Sequence, residues 1–378
     1  MHAKVLFISS FIGQNHTGAS VAGQRNLKLC RQLFPGTVVD AFSFSFREAP
    51  LAAGLIYLPS HTSARSTFSN YFFGNAGSLT FSNIKTLVAA FKNNNYAAVF
   101  LDGSLLGRLA KKFRQLKPAV VIISFFHNVE KELFKVKLAQ NPLWRPLYLS
   151  AVYNEKLSCA YADYVLCFNE RDAAGIEETY KKKAEAILPV TVEDRFSPAH
   201  AGSIADSTAA RLLFVGSDFF ANTEGLKWFV KNVMPRANAT LTVAGKGMEK
   251  YSAGLESAKV KIPGTVENLD ALYYDAHMVV APILSGSGMK IKIAEALMMG
   301  KTIAGTGEAW QGYMPKKNNA GFVCNTAADF INTINAFDKN QPLYNKNARL
   351  LYEEFYSPQS QQPVINMLSE KIKQAIQS

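Results

Sequence analysis

The chain has 378 residues, of which 48% are hydrophobic, 19% charged and 12% aromatic. That is enough for two domains with real cores, and it excludes disordered, collagenous and disulfide-scaffold classes. Lys and Arg number 41 against 29 Asp and Glu, a formal charge of +12, and the first 195 residues carry 23 of the basic and 14 of the acidic side chains. A half with this excess implies an acidic partner, either a phosphorylated small molecule or an anionic membrane surface. Nucleic acid is not expected, because no RNP aromatics, C2H2 spacing or KH loop is present.

No apolar run approaches the ~18–20 residues that cross a bilayer; the longest, Ala119–Phe126, is flanked by Pro118 and His127. The opening residues MHAKVLFISSFIG are short, β-branched and without a small-x-small cleavage site, so they read as a first strand and not a signal peptide. Cys30, Cys159, Cys167 and Cys324 are scattered, with no CxxC pair and no His at ligand spacing. They read as core thiols in a reducing compartment, with no metal site.

Strands are expected at Lys4–Ser9, Val38–Phe42, Ala97–Leu101, Ala119–Phe125 and Tyr164–Phe168. A second series follows at Leu212–Val215, Leu241–Ala244, Val260–Ile262, Met278–Ala281 and Thr302–Ala304. Amphipathic stretches such as Ala19–Leu33, Leu105–Leu116 and Glu224–Met234 lie between them. Buried strands alternating with helices predict parallel α/β sheets, and two series predict two Rossmann-like domains. An internal echo supports this: Lys4-VLFISSFIGQNHT-Gly18 aligns without gaps on Arg211-LLFVGSDFFANTE-Gly225. The stretch Ile187–Ala210, with Pro189, Pro198 and a Ser/Ala/Gly-rich tail, has linker composition. From about Ser360 to Ile376 a last helix carries Val364, Ile365, Leu368, Ile372 and Ile376 at helical spacing.

The strongest chemical signal is Val280-APILSGSGMKIKIAEALMMG-Lys301, in which a strand runs into Ser285-Gly286-Ser287-Gly288 and a helix begins near Met289. In open α/β sheets ligands bind at the carboxyl ends of strands, where loop N–H groups and a helix N-terminus favour anions. The glycines admit a phosphate closely, and Lys290 and Lys292 are its counter-ions. Glu295, about a turn and a half on, can accept from ribose hydroxyls. A second segment is Ser124-FFHNVEKE-Leu133: His127 sits at the carboxyl end of the most apolar strand, where a neutral imidazole can bind a sugar hydroxyl or act on a proton, and Glu130 lies three residues on. A third is the loop with Gly13, His16 and Gly18, open to a phosphate or sugar but lacking GxGxxG, and Lys246 adds a cation at another strand end. Lastly, Lys131, Lys135 and Lys137 interleave with Leu133, Phe134, Val136 and Leu138, and Arg108, Lys111, Lys112, Arg114 and Lys117 lie near in sequence. This pattern fits a membrane-touching surface as well as a solvated amphipathic helix.

Taken together, these segments resemble family 4 (group 1) retaining glycosyltransferases of the GT-B fold over essentially the whole chain. Val5-LFISSFIG, His127-NVE, Ala162-DYVLCFNERD-Ala173 and Leu188-PVTVEDRFSP match the first half. Leu213-FVGSDFFANTEGLKWFVKNVMP, Leu241-TVAGKG, Val260-KIPGTVENLDALYYDAHMVVAP and Ser285-GSGMKIKIAEALMMGK match the second.

The resemblance implies two Rossmann-like doubly wound domains facing across a cleft. Residues 1–190 would bind the acceptor, with a C-terminal helix at 358–378 crossing back to them, and 191–357 would bind the nucleotide sugar. It implies transfer of a sugar from a nucleotide-diphosphate sugar to a glycan or lipid-linked acceptor, with retention and without a metal or other cofactor, in bacterial surface polysaccharide or glycoconjugate assembly. Localisation would be cytoplasmic, peripheral on the inner face of the cell membrane. His127 and Lys292 would be catalytic. The donor set would be Gly216, Ser217, Lys246, Val266, Ser287, Gly288, Met289, Lys290, Lys292 and Glu295, with Val266 in the stretch that holds the base.

Two positions depart from the family: Ser287 stands where a glutamate is usual, and Ser217 where an arginine is usual. The cationic contact would then fall to Lys290 or Lys292, and the grip on the donor sugar's hydroxyls is open. Ser287 also motivates two alternatives, a non-catalytic binding protein on this fold and a sugar-nucleotide epimerase.

Overall fold

In the computed structural model, residues 3–12, 18–45, 54–60, 64–200, 208–286, 288–313, 319–340 and 342–377 are described. The chain forms two compact units, Met1–Leu188 with Gln362–Ser378, and Pro189–Gln361.

The first unit is built on a seven-stranded sheet in the order β3-β2-β1-β4-β5-β6-β7. Its strands are β1 (Lys4–Ser9), β2 (Val39–Ser45), β3 (Leu55–Pro59), β4 (Tyr96–Asp102), β5 (Val121–Phe126), β6 (Tyr164–Cys167) and β7 (Ala186–Ile187). Every pairing is parallel, with Val5 opposite Val39 on one side and Ala98 on the other. All six residues of VIISFF in β5 are buried, as a central parallel strand covered on both faces demands. Helix starts are set by local caps: Thr80 Oγ1 accepts from the Asn83 N–H at the head of Phe81–Asn93, and Asn169 Oδ1 from the Asp172 N–H at the head of Glu170–Tyr180. The last helix, Gln362–Gln377, packs on the helix Gly18–Leu33, where Ser369 Oγ donates to the Leu33 carbonyl at 2.8 Å. Its Ile365, Leu368 and Ile372 are buried, which accounts for the apolar stripe.

The second unit repeats the topology, β10-β9-β8-β11-β12-β13, again all parallel. The strands are β8 (Ala210–Val215), β9 (Ala239–Ala244), β10 (Val260–Gly264), β11 (Met278–Ala281), β12 (Thr302–Gly305) and β13 (Gly321–Val323). The helix Phe220–Asn232 lies so close to the end of β11 that a Cβ on Gly225 would stand 1.8 Å from the Pro282 carbonyl oxygen. Only glycine fits there.

The strands read from sequence are all present, Lys4–Ser9 and Met278–Ala281 with the same bounds and the others with edges moved by up to three residues. Three strands went unread: β3, β7 and β13, each short or at a sheet edge. All four cysteines are buried and free. Among the described residues no helix is long and apolar enough to cross a membrane, and no His, Cys, Asp or Glu are grouped to hold a metal.

Candidate active site

In both units the chemistry-bearing residues collect at the carboxyl ends of the central strands. In the first unit β4 ends on Asp102, a fully buried carboxylate. Ser9 Oγ donates to its Oδ2 at 2.6 Å, and Asn26 Nδ2 to its Oδ1 at 2.7 Å. His127, directly after β5, places Nε2 2.6 Å from the same Oδ1. A carboxylate only accepts, so Nε2 carries a proton and donates it to Asp102. Asn26 Nδ2 also lies 3.1 Å from Nε2, but two donors face each other there and that approach is no hydrogen bond. Phe11 stacks on the imidazole at 4.0 Å, and Phe168 meets it edge-on at 4.9 Å. The ring is therefore fixed in position.

His127 and Phe11 line a cavity of about 170 Å³ with Gly103, Ser104 and Glu130. Ser104 Oγ is buried with no hydrogen-bond partner among the described residues, so a ligand hydroxyl could meet it there. Burial raises the Glu130 carboxyl above its ordinary range, opposed by its hydrogen bond from Asn128 and by His127. Beside the cluster, Arg25 donates to Asn26 Oδ1 at 2.7 Å and lies over Phe125 and Phe168. Burial lowers this guanidinium to about 10, against the pull of Asp102.

In the second unit Lys292, in the helix Ile291–Met298, points back at the end of β8. Its ammonium donates to Asn222 Oδ1 at 2.7 Å and sits 4.5 Å above the Phe214 ring. A Cβ on Gly216 would come within 3.0 Å of Lys292 Nζ and 2.9 Å of Asn222 Cγ, so glycine there makes the space for both. Burial, with Lys290 nearby, lowers the Lys292 ammonium to about 7, and Glu295 opposes the shift. Lys290 donates to Glu308 Oε1 and to the Gly288 carbonyl, both at 2.7 Å. This cation already has a carboxylate partner, an arrangement the sequence did not disclose.

Glu295 accepts from Tyr273 at 3.4 Å and lies 3.8 Å from Arg195, which also binds Asp270 at 3.2 Å. Burial raises its carboxyl, with Arg195 the main opposing charge. The head of the Ile291–Met298 helix has no side-chain cap, and Gly286 and Gly288 before it have φ of 146° and 69°. Positive φ in this range favours glycine at both places.

Of the residues singled out from sequence, the structure brings together Gly216, Lys290, Lys292 and Glu295, and Ser217 joins through its carbonyl, which accepts from Asn222 Nδ2 at 2.9 Å. Met289 is buried beside them in sequence. The Lys246 side chain is exposed and makes no hydrogen bond or ion pair among the described residues, and Val266 lies half-buried after β10. Gly18 opens its helix. Gly13, His16 and Ser287 lie outside the described residues. Sequence reading missed Asp102, Asn26, Ser9, Arg25, Asn222, Arg195 and Glu308. One signal was available in the sequence, in that Asp102 follows an apolar run and precedes a glycine.

Two parallel, doubly wound sheets, each with polar groups gathered at its strand ends, define a glycosyltransferase fold of the GT-B type. Three solved structures match nearly the whole chain. A sucrose-phosphate synthase from Thermosynechococcus elongatus is 14% identical, covers 99% of this chain and 100% of its own, and has a TM-score of 0.74. Anabaena HepE in complex with UDP and glucose is 13% identical, covers 100% of both chains and has a TM-score of 0.63. The lipopolysaccharide outer core galactosyltransferase WaaB, in its apo form, is 14% identical with 99% coverage of both and a TM-score of 0.62. No curated protein sequence matches. Residues 209–340, within the second unit, match the model of the family described as "Glycosyl transferases group 1".

Proposed function

We propose that the protein is a retaining hexosyltransferase that takes its sugar from a uridine-diphosphate sugar. The glycan acceptor would be lipid-linked or membrane-anchored, of the kind used in building a bacterial surface polysaccharide. One observation carries the donor half of the reading: a half-buried lysine, Lys292, held by a single neutral hydrogen bond in a space kept open by Gly216. A withdrawn cation with no carboxylate partner is stabilised by an anion, and a diphosphate supplies it. Support for the base comes from HepE, solved in complex with UDP and with UDP-glucose, and support for the acceptor class from WaaB, a lipopolysaccharide galactosyltransferase.

In this reading Lys292 and the uncapped helix head hold the diphosphate, Glu295 accepts from the ribose, Val266 lies by the base, and Lys246 and Ser217 border the donor. Gly288, Met289 and Lys290 shape the loop, and Gly13, His16, Gly18 and Ser287 keep the phosphate and sugar roles that the family resemblance implies. His127 orients the transferring sugar. The acceptor oxygen forms its bond to the anomeric carbon on the face from which the diphosphate departs. The electron pair of the breaking C–O bond goes to the leaving phosphate oxygen, which also takes the acceptor's proton. No carboxylate nucleophile and no metal is required, and catalysis rests on positioning and on stabilising the leaving charge.

The test is product stereochemistry by NMR with UDP-glucose and UDP-galactose, in EDTA and with a lipid-linked glycan acceptor. Retained configuration and turnover in EDTA support the reading; inverted product or a trapped glycosyl-enzyme overturns it. A new sugar nucleotide formed without acceptor would favour an epimerase.

A further inference from the structure

Part of the basic charge of the first unit is held internally. Arg114 forks onto Asp163 with two bonds of 2.6 Å, and Lys117 donates to the Tyr96 carbonyl at 2.7 Å. Lys131 and Lys135 lie against Glu132, and Lys137 sits 4.6 Å over the Trp144 ring. Lys111 and Lys112 are set apart by their position. Among the described residues neither makes a hydrogen bond or an ion pair, yet both line a cavity of about 230 Å³ between the helices Gly107–Leu116 and Arg145–Tyr161. The other polar groups in its wall are Arg108, Gln115 and Tyr153, and no carboxylate lines it.

Apolar side chains border this cationic hollow. Arg108 donates to the Phe73 carbonyl at 2.7 Å and to Asn75 Oδ1 at 2.6 Å, tying the segment after the helix Ala64–Phe72 to the cavity's edge. There Phe72 is 70%, Phe73 59% and Phe81 52% exposed, in mutual edge contact at 5.6 and 5.8 Å. One turn before Tyr153, Leu149 is exposed as well. Three neighbouring exposed phenylalanines are unfavourable in water, and a soluble anion would leave them exposed. An anionic bilayer satisfies both halves, with lipid phosphate in the hollow and the rings in the acyl boundary.

We propose that Arg108, Lys111 and Lys112 form a binding site for the phosphate of an anionic phospholipid headgroup, with Phe72 and Phe73 inserting beside it as a membrane anchor. This deepens the membrane part of the proposed function and is independent of the transfer chemistry.

The experiment is sedimentation of the full chain with vesicles of phosphatidylcholine alone or with about one-third phosphatidylglycerol, at low and physiological salt. Wild type should bind only the anionic vesicles, more weakly as salt rises. At about a factor of five for each lysine, K111Q/K112Q should bind roughly thirtyfold more weakly, and K111R/K112R should restore binding. F72S/F73S should lose about tenfold or more. UDP affinity should be unchanged in all variants, and a chemical denaturation midpoint of the first unit equal to that of wild type reports that they are folded.

Failure of wild type to bind anionic vesicles overturns the membrane reading itself. Binding by wild type that K111Q/K112Q leaves intact overturns this site alone. If millimolar inorganic phosphate or glycerol phosphate displaces the vesicles and F72S/F73S has no effect, the ligand is a soluble phosphate and the lipid assignment fails.

Discussion

Ser9 and Gly216 occupy matching places in the two gaplessly alignable openings of the chain, each at the carboxyl end of a first strand, yet they do opposite work. In the first unit Ser9 fills the place and donates to Asp102, which also accepts from Asn26 and His127. In the second unit Gly216 leaves the place empty, and Lys292 and Asn222 occupy it. One strand end is thus a buried anion with its donors in place, which holds an imidazole rigidly. The other is a withdrawn cation with one neutral partner, which an anion would complete. A shared topology fixes where polar groups collect; a single residue at the turn decides whether they form a finished network or a receptor.

The largest effect should come from the finished network. His127→Ala is expected to lower kcat by about 100-fold or more, because a mispositioned reacting centre loses that much. UDP affinity, measured by calorimetry, should stay within about threefold. If affinity and turnover fell together, His127 would be a donor ligand and the division of labour between the units would be wrong.

Next comes the receptor. Lys292→Ala removes a charged contact of ~1.5–3 kcal/mol, so UDP should bind roughly tenfold to a hundredfold more weakly. Unchanged Kd would break the assignment of Lys292 to the diphosphate. Lys290→Ala should cost less, since Lys290 already pairs with Glu308.

How the sequence disclosed these two sites differs in the same way. The Lys292 site was legible because it is local: a glycine loop, two lysines and a glutamate within eleven residues. The alternation of apolar runs and helices likewise revealed both sheets, missing only the edge strands β3, β7 and β13. The Asp102–His127 cluster was not legible, because Ser9, Asn26, Asp102 and His127 meet through four separate segments, and no spacing rule links them. Nor could sequence show which lysines are already paired; Lys290, with Glu308 eighteen positions away, looked as free as Lys292.

A pH dependence sharpens the contrast further. Lys292 is lowered to about 7 in the free protein, and a bound diphosphate would raise it again. Binding of UDP-glucose, whose diphosphate diester keeps its charge across this range, should therefore take up a proton above pH 7. Affinity is full below about pH 7 and falls as pH rises, by up to about tenfold between pH 6 and pH 8. Calorimetry in buffers of different ionisation enthalpy reads the uptake directly, and Lys292→Met should abolish it. A proton count of zero at pH 8 would mean that Lys292 stays charged without ligand.

The smallest expected effects test the turn residue itself. Ser9→Ala leaves Asp102 Oδ2 buried without the 2.6 Å donor it has now, and an unsatisfied buried acceptor costs ~1–3 kcal/mol. The loss should appear in chemical denaturation of the first unit, with UDP affinity untouched. Gly216→Ala instead adds a Cβ 2.9 Å from Asn222 Cγ and 3.0 Å from Lys292 Nζ, so one of the two must move by a few tenths of an ångström. The second unit should stay folded while UDP affinity drops several-fold, in the same direction as Lys292→Ala but by less. If Gly216→Ala destabilised without affecting nucleotide binding, the space beside Lys292 would be ordinary packing and not a vacancy for ligand.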